Sequence, residues 1–149
     1  MNKTIQLILL IAVFCAPQFG FSQVGINTTN PLSTLDINGN LSVKTVILNG
    51  SSSVTQINDG VYISLNPLST NQVFNIPSAV AYPGRIYILR NINNTNTADI
   101  TSSGGGFFYK GTTNEADPTN HKIYLYDASF GGNRTVILLS DGINWTVFN

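Results

Sequence analysis

The chain has 149 residues, of which 42% are hydrophobic and only 9% are charged, with seven basic and seven acidic side chains. This apolar content excludes a disordered polyampholyte, and the balanced charge excludes the basic face that a nucleic-acid-binding protein needs. The polarity comes instead from uncharged residues, chiefly 19 Asn, 15 Thr and 13 Ser.

The N-terminal segment, residues 1–22, predicts a secretory signal peptide. One cation, Lys3, precedes an apolar run over residues 5–14, and small residues at Gly20 and Ser22 precede a cleavage site at Gln23. The run is shorter than the ~20 residues needed to span a bilayer. Cys15 follows Phe14 and not a small residue, which argues against a lipid anchor. We therefore expect export, either secreted or to the outer cell surface, with no membrane span after cleavage.

The rest of the chain is expected to consist of short strands. No window shows a helical stripe, whereas runs of β-branched and aromatic residues recur between Asn, Gly, Asp and Pro. These patterns predict strands over residues 41–48, 61–65, 72–76, 85–90, 98–101 and 122–126.

The C-terminal end predicts a β-hairpin. Two apolar segments, Thr135–Ser140 and Ile143–Phe148, are separated only by Asp141-Gly142, a pair that favours a type I′ turn. Alternation then places Ile143, Trp145 and Val147 on one face, with Trp145 in the core.

These elements indicate an all-β fold, an antiparallel sandwich or jelly-roll head over residues 51–149. A βαβ fold is excluded because no crossover helix is visible. Residues 23–50 predict a stalk-like β segment too short to bury its own apolar side chains. Packing of this segment against the globular part would cover these apolar side chains. Winding several copies together would cover them equally well.

Few residues suggest catalytic chemistry. His121 is the only histidine and no cysteine follows the signal peptide, which excludes thiol catalysis and Cys/His zinc sites. The glycines at 104–106 are interpreted as a hairpin tip, and most carboxylates as turn caps. Glu115 and Asp117 leave open a weak calcium site, or glycan hydrolysis with another carboxylate. We expect no enzyme activity, no cofactor and no bound metal.

Aromatic side chains provide the candidate contact surface. Phe107, Phe108 and Tyr109 are consecutive, and consecutive side chains of a strand point to opposite faces. At least one of these three rings should therefore reach the surface or an interface. Core packing is the alternative. The candidate ligand or subunit contacts are Phe107, Phe108, Tyr109, Tyr124 and Tyr126.

Residues 24–41, VGINTTNPLSTLDINGNL, resemble the VGIGTTNP…LDVNGN opening of exported Bacteroidetes proteins and phage tail-fibre-like proteins. Asn27 replaces the usual second glycine, and asparagine also tolerates positive φ. Residues 74–77, 84–91 and 139–145 are similar, more diffusely, to C-terminal β-domains of tail fibres and related surface proteins.

This resemblance implies an elongated homotrimer in which a stalk leads to a β-rich head, without a cofactor and without catalytic residues. The leading expectation is therefore an exported, non-enzymatic structural or adhesive module. Its partners would be identical copies, and a surface glycan or another fibre subunit. A carbohydrate-binding module using exposed aromatics and Asn-rich loops is the first alternative, and a glycan hydrolase the second.

Overall fold

The computed structural model describes residues 23–108 and 122–148, together with residues 3, 4 and 6. The chain divides into two compact units, Met1–Ser42 and Val43–Asn149. The predicted stalk over residues 23–50 thus spans the end of one unit and the first strand of the other. Within the described residues, no helix has the length and apolar character to cross a membrane.

The all-β prediction is confirmed, because the described residues from 23 onward contain twelve short strands and one 3₁₀ turn, Ala79–Ala81. The strands are β1 (Val24–Ile26), β2 (Leu35–Ile37), β3 (Thr45–Asn49), β4 (Thr55–Gln56), β5 (Tyr62–Asn66), β6 (Gln72–Ile76), β7 (Ile86–Asn91), β8 (Ala98–Ser102), β9 (Phe107–Phe108), β10 (Lys122–Leu125), β11 (Thr135–Ser140) and β12 (Trp145–Phe148).

The first unit contains one parallel pair of strands. β1 lies beside β2, with Val24 level with Leu35 and Ile26 level with Ile37. Asn27 follows β1 at φ 57°, in the left-handed region. Asn27 therefore adopts the positive φ that the sequence analysis considered tolerable for asparagine.

The second unit contains two sheets, with strand orders β10-β8-β6-β4 and β3-β5-β7-β11-β12-β9. From β3 to β8, consecutive strands alternate between the two sheets. Each of the strands β3 to β6 then pairs in parallel with the strand two places further along the chain. Thr45 is level with Tyr62, and Tyr62 is level in turn with Ile88. The chain therefore forms coils, as in a parallel β-helix.

The predicted antiparallel pairing is wrong for these coils. Among the described strands, antiparallel pairs are β7–β11, β11–β12 and β8–β10. The chain returns to the start of each parallel neighbour through a strand of the other sheet. Parallel pairing therefore needs no crossover helix here, and the lack of a predicted crossover helix argues against a βαβ unit alone.

Both sheets of the second unit contribute to one cluster of buried apolar side chains. Phe74 and Ile100 come from the four-stranded sheet, while Leu89 and Trp145 come from the six-stranded sheet. The predicted core position of Trp145 is confirmed, since its side chain is fully buried. Its ring centroid lies 5.6 Å from that of Tyr87.

The C-terminal hairpin exists, but its turn is longer than predicted. Ser140 is level with Trp145, so residues 141–144 form the loop and Ile143 lies outside the strand, largely exposed. The cause is the side chain of Asp141, whose Oδ1 accepts hydrogen bonds from the backbone N–H groups of Ile143 at 2.7 Å and Asn144 at 2.6 Å. This Asx-type turn replaces the predicted type I′ turn.

The three glycines at 104–106 do not form the predicted hairpin tip, because β8 and β9 belong to different sheets. Gly106 donates its N–H to Oδ1 of Asn144 at 2.8 Å, and its carbonyl accepts from the N–H of Trp145 at 2.9 Å. Gly105 has φ 85° and lies directly against the backbone of Ile143. The glycines allow a close approach of two loops.

Candidate interaction surfaces

The structure describes the side chains of three of the five predicted contact residues. Phe107 is only 1% exposed and belongs to the core cluster, which was the alternative that the sequence left open. Phe108 lies in β9, and its side chain is outside the description. Tyr109 lies outside the described residues. Tyr124 and Tyr126 are brought together on the surface.

A row of three aromatic rings, which we call the aromatic row, consists of Tyr124, Tyr126 and Phe130. The rings of Tyr126 and Phe130 are stacked at 4.7 Å with an interplanar angle of 7°, and those of Tyr124 and Tyr126 are 6.4 Å apart. Tyr124 is 44% exposed and Phe130 is 70% exposed. Sequence reasoning missed Phe130. Its position shortly after Tyr126 in a Gly-containing loop was the available signal.

The turn between Tyr126 and Phe130 is held by Asp127. Its Oδ1 accepts hydrogen bonds from the N–H of Ser129 at 2.8 Å and from the Ser129 hydroxyl at 2.5 Å. Its Oδ2 accepts a longer hydrogen bond, 3.4 Å, from the Thr97 hydroxyl. The Ser129 hydroxyl, and then its N–H, hold the pKa of Asp127 below its ordinary value. The ionised carboxylate therefore stabilises this turn.

Behind the aromatic row, asparagine side chains tie neighbouring segments together. The buried Asn91 donates from Nδ2 to the carbonyls of Asn96 at 2.8 Å and Leu125 at 2.9 Å. Arg134 donates to the carbonyl of Asn93 at 2.8 Å. These bonds link the end of β7, the following loop and the end of β10, and so give the row a rigid base.

The outward side of the six-stranded sheet carries a second candidate surface, which we call the outer apolar face. Registers across β5, β7, β11 and β12 place four apolar side chains in one row. Two further apolar side chains, those of Ile86 and Leu139, are level with each other and form a second row. The face consists of Tyr62, Ile88, Ile137 and Phe148 in the first row and of Ile86 and Leu139 in the second.

The outer apolar face is accessible in the single chain. Ile137 is 42% exposed and Phe148 is 49% exposed, although the opposite sides of the same strands fill the core. Strands that are apolar on both sides are typical of sheets covered on both faces. The sequence signal for such a two-sided apolar sheet is the uninterrupted apolar runs at 86–89 and 136–139. The predicted antiparallel sandwich did not take these runs into account.

A ladder of asparagine side chains runs across three coils of the second unit. Asn66 Nδ2 donates to Asn49 Oδ1 at 2.9 Å, and Asn93 Nδ2 donates to Asn66 Oδ1 at 3.0 Å. The four-stranded sheet has a corresponding ladder, in which Asn75 Nδ2 donates to Gln56 Oε1 at 2.9 Å and Thr101 Oγ1 donates to Asn75 Oδ1 at 2.9 Å. Both ladders hold successive coils in register.

The described carboxylates mostly hold turns, as predicted. Asp59 accepts hydrogen bonds from the Gly60 N–H at 2.7 Å and from Lys44. That lysine, followed by the Gly60 N–H, holds the pKa of Asp59 below its ordinary value. Asp99 is an exception, since it is buried beneath an ion pair with Lys122 at 3.2 Å.

Other candidates for chemistry fall outside the description. Glu115, Asp117 and His121, which carried the calcium and hydrolase alternatives, lie outside the described residues. Within residues 23–108 and 122–148, no three His, Cys, Asp or Glu side chains are placed to hold a metal ion. The two accessible surfaces above are therefore the candidate sites that geometry supports.

Comparison with protein-family models, with curated proteins and with solved structures gives no match.

Proposed function

We propose that this chain is an exported, non-enzymatic structural or adhesive module that works as a homotrimer, in the manner of a tail-fibre head. The signal-peptide pattern supports export. The resemblance of residues 24–41 to tail-fibre-like proteins supports an assembly of three copies. The outer apolar face supports the proposed assembly, because it offers apolar surface that a second copy could cover.

The outer apolar face is the observation that carries this proposal. Its six side chains contain no charge, and charged residues are the usual means of keeping exposed sheets apart. Contiguous apolar surface of this kind on a soluble protein marks an interaction site. A second copy presents the same six uncharged side chains, so contact between copies removes apolar surface on both sides, with the exposed Arg90 of β7 at the border of the face next to Ile88.

The proposal is tested by measuring the mass of the full chain by light scattering at micromolar concentration. Ile137→Lys places a charge in the middle of the outer apolar face and is expected to release single chains. Thr135→Lys is the matched control, because Thr135 is exposed on the same side of β11 but lies outside the face. Assembly that survives Ile137→Lys would contradict the proposed interface.

Carbohydrate binding is a second candidate function, favoured by the aromatic row. A largely exposed ring such as Phe130 stacks on the C–H face of a sugar, and neighbouring amides such as that of Asn94 can bind hydroxyl groups. Asn94 accepts a hydrogen bond from Arg134, which fixes its amide beside the row's supporting loop.

A glycan array probed with the full chain tests this candidate. Binding that disappears in Phe130→Ala and Tyr124→Ala, but persists in Ile143→Ala, would support it. Ile143 is a suitable control because it is similarly exposed but lies in the β11–β12 loop. No binding to any printed glycan, or equal binding by all three variants, would argue against it.

A further inference from the structure

Two asparagine–glycine pairs occur in the chain, Asn38-Gly39 and Asn49-Gly50. An asparagine side chain is attacked most readily by the backbone nitrogen of a following glycine. The reason is that glycine has no Cβ to shield this nitrogen and lets the chain rotate towards it. Because the two pairs share the same local chemistry, a large difference between their reactivities would come from the fold.

The reaction needs no co-reactant other than water. The glycine nitrogen gives up its proton and attacks Cγ of the asparagine, so that an N–Cγ bond forms. The Cγ–Nδ2 bond breaks, and ammonia leaves with that proton. Water then opens the cyclic imide at either carbonyl, which yields aspartate or isoaspartate. In the isoaspartate form, the main chain runs through Cγ.

The first pair is accessible to this reaction. Within the first unit, Asn38 and Gly39 follow β2 in a bend, and both are exposed. The Asn38 backbone is anchored, since its N–H donates to the carbonyl of Ile26 at 3.0 Å and its carbonyl accepts from Nδ2 of Asn27 at 3.0 Å. Among the described residues, however, neither the Asn38 side chain nor the Gly39 N–H makes a hydrogen bond. A Cβ atom at Gly39 would meet no atom within 4 Å, so the ring has room to close.

The second pair is held at both reacting groups. Gly50 is buried, and its N–H donates to the backbone carbonyl of Asn66 at 2.9 Å. Asn49 is the last residue of β3, and its Oδ1 accepts from Nδ2 of Asn66 at 2.9 Å. The side chain of Gln72 occupies the space beside Gly50 that a Cβ atom would need. Ring closure at Asn49 therefore requires the end of β3 to separate first from β5.

We propose that Asn38 is a site of spontaneous modification to aspartate and isoaspartate, and that the fold protects Asn49 from the same reaction. Both asparagine side chains are exposed, so the contrast depends on the attacking nitrogen, which is hydrogen-bonded only in Gly50. The modification adds a negative charge to a chain whose charges are balanced. Its isoaspartate form also lengthens the main chain by a methylene group directly after β2. The inference is independent of the proposed self-assembly.

Incubation of the full chain in a mildly alkaline buffer, followed by trypsin digestion and mass spectrometry, tests this site. Lys44 lies between the two asparagines, so trypsin places them on different peptides. The Asn38 peptide should gain the mass of an amide-to-acid change and elute as separate aspartate and isoaspartate forms. Asn49 should convert at least about tenfold more slowly, which corresponds to a local opening of ~1.4 kcal/mol.

Incubation in urea is the first control, because both pairs should convert at similar rates once the chain is unfolded. Gly39→Ala is the second control. Its methyl group shields the nitrogen without meeting another atom, so it should slow the conversion of Asn38 while the fold is kept.

Three results would overturn the proposal. The first is an Asn38 that stays unconverted, or that converts no faster than Asn49, in the folded chain. The second is a rate difference that is the same in urea, because the fold would then not be its cause. The third is an unchanged rate in Gly39→Ala, because the nitrogen of residue 39 would then not be the attacking group.

Discussion

Asn66 and Asn49 lie on adjacent parallel strands, and the side-chain amide of Asn66 donates to Oδ1 of Asn49 at 2.9 Å. Asn66 also accepts from Asn93, so its amide bridges two neighbouring coils. Such a side chain contributes to register as well as to stability, because a shifted strand would leave amide groups without partners.

Replacing the middle residue of this ladder should therefore weaken the second unit. Asn66→Ala removes two hydrogen bonds and is expected to lower the free energy of unfolding by about 1–2 kcal/mol. Urea unfolding measures the change. Asn49→Ala removes one bond at the exposed end of the ladder and should cost less. If the two variants are equally stable, the ladder does not hold the coils.

Removing the largest core side chain should have the greatest effect. Trp145→Ala leaves a cavity beside Tyr87 and is expected to cost about 3–5 kcal/mol. It also removes the hydrogen bond from Nε1 to the carbonyl of Pro77, at 3.3 Å. Denaturant unfolding followed by circular dichroism measures the loss. Thr146→Ala, on the outward side of the same strand but outside the outer apolar face, is the control, and an equal loss would contradict the assigned core.

The turn that supports the aromatic row should respond to pH through Asp127. Because the folded state lowers its pKa, the ionised form contributes stability above the unfolded pKa of about 3.9, and this stability is lost as pH falls through the folded value. Asp127→Asn should lower the melting temperature at pH 7 and reduce the dependence on pH below 4. Ser129→Ala should raise the pKa of Asp127 towards its ordinary value. An unchanged pH profile in both variants would contradict this role.

Gly132 should be required for the geometry of the aromatic row. A Cβ atom at this position would overlap the ring of Tyr126, so Gly132→Ala should displace that ring from Phe130. Near-ultraviolet circular dichroism reports the change in tyrosine packing. Gly39→Ala is the control, because its Cβ meets no atom within 4 Å. A near-ultraviolet spectrum identical to that of the unaltered chain would show that the loop adapts.

Export should leave a defined N-terminus. Expression of the full chain in a bacterium with an outer membrane should release a protein that begins at Gln23, as measured by intact mass. The physical reason is the apolar run over residues 5–14, followed by small residues at the cleavage site. Ser22→Arg is expected to block processing there. Retention of residues 1–22 in the exported protein would contradict the signal-peptide prediction.

Alternation and turn residues were enough to predict the all-β class and the positions of most strands. The segment over 72–76 coincides with β6. Which strands pair with one another depends on contacts between residues far apart in the chain. Local sequence patterns do not report such contacts. The asparagines that end β3 and β5 were visible as VILN and ISLN, but they were interpreted as turn residues and not as part of a ladder.

The candidate surfaces were predictable only in part. Tyr124 and Tyr126 were identified because aromatic residues stand out in a polar chain, whereas the stacking of Phe130 depends on the fold of the 127–133 loop. Phe107 was placed among the contacts because periodicity alone does not tell which side of a short strand faces the core. Ile88 and Ile137 were interpreted as ordinary strand residues. Their position in one row became evident only from the parallel and antiparallel registers together.

The mass of the full chain in solution decides whether copies of this protein assemble. Light scattering over a range of micromolar concentrations should give three times the mass of one chain, and Ile137→Lys should reduce it to that of a single chain. A single-chain mass for the unaltered protein, with the outer apolar face still exposed to solvent, would contradict the account.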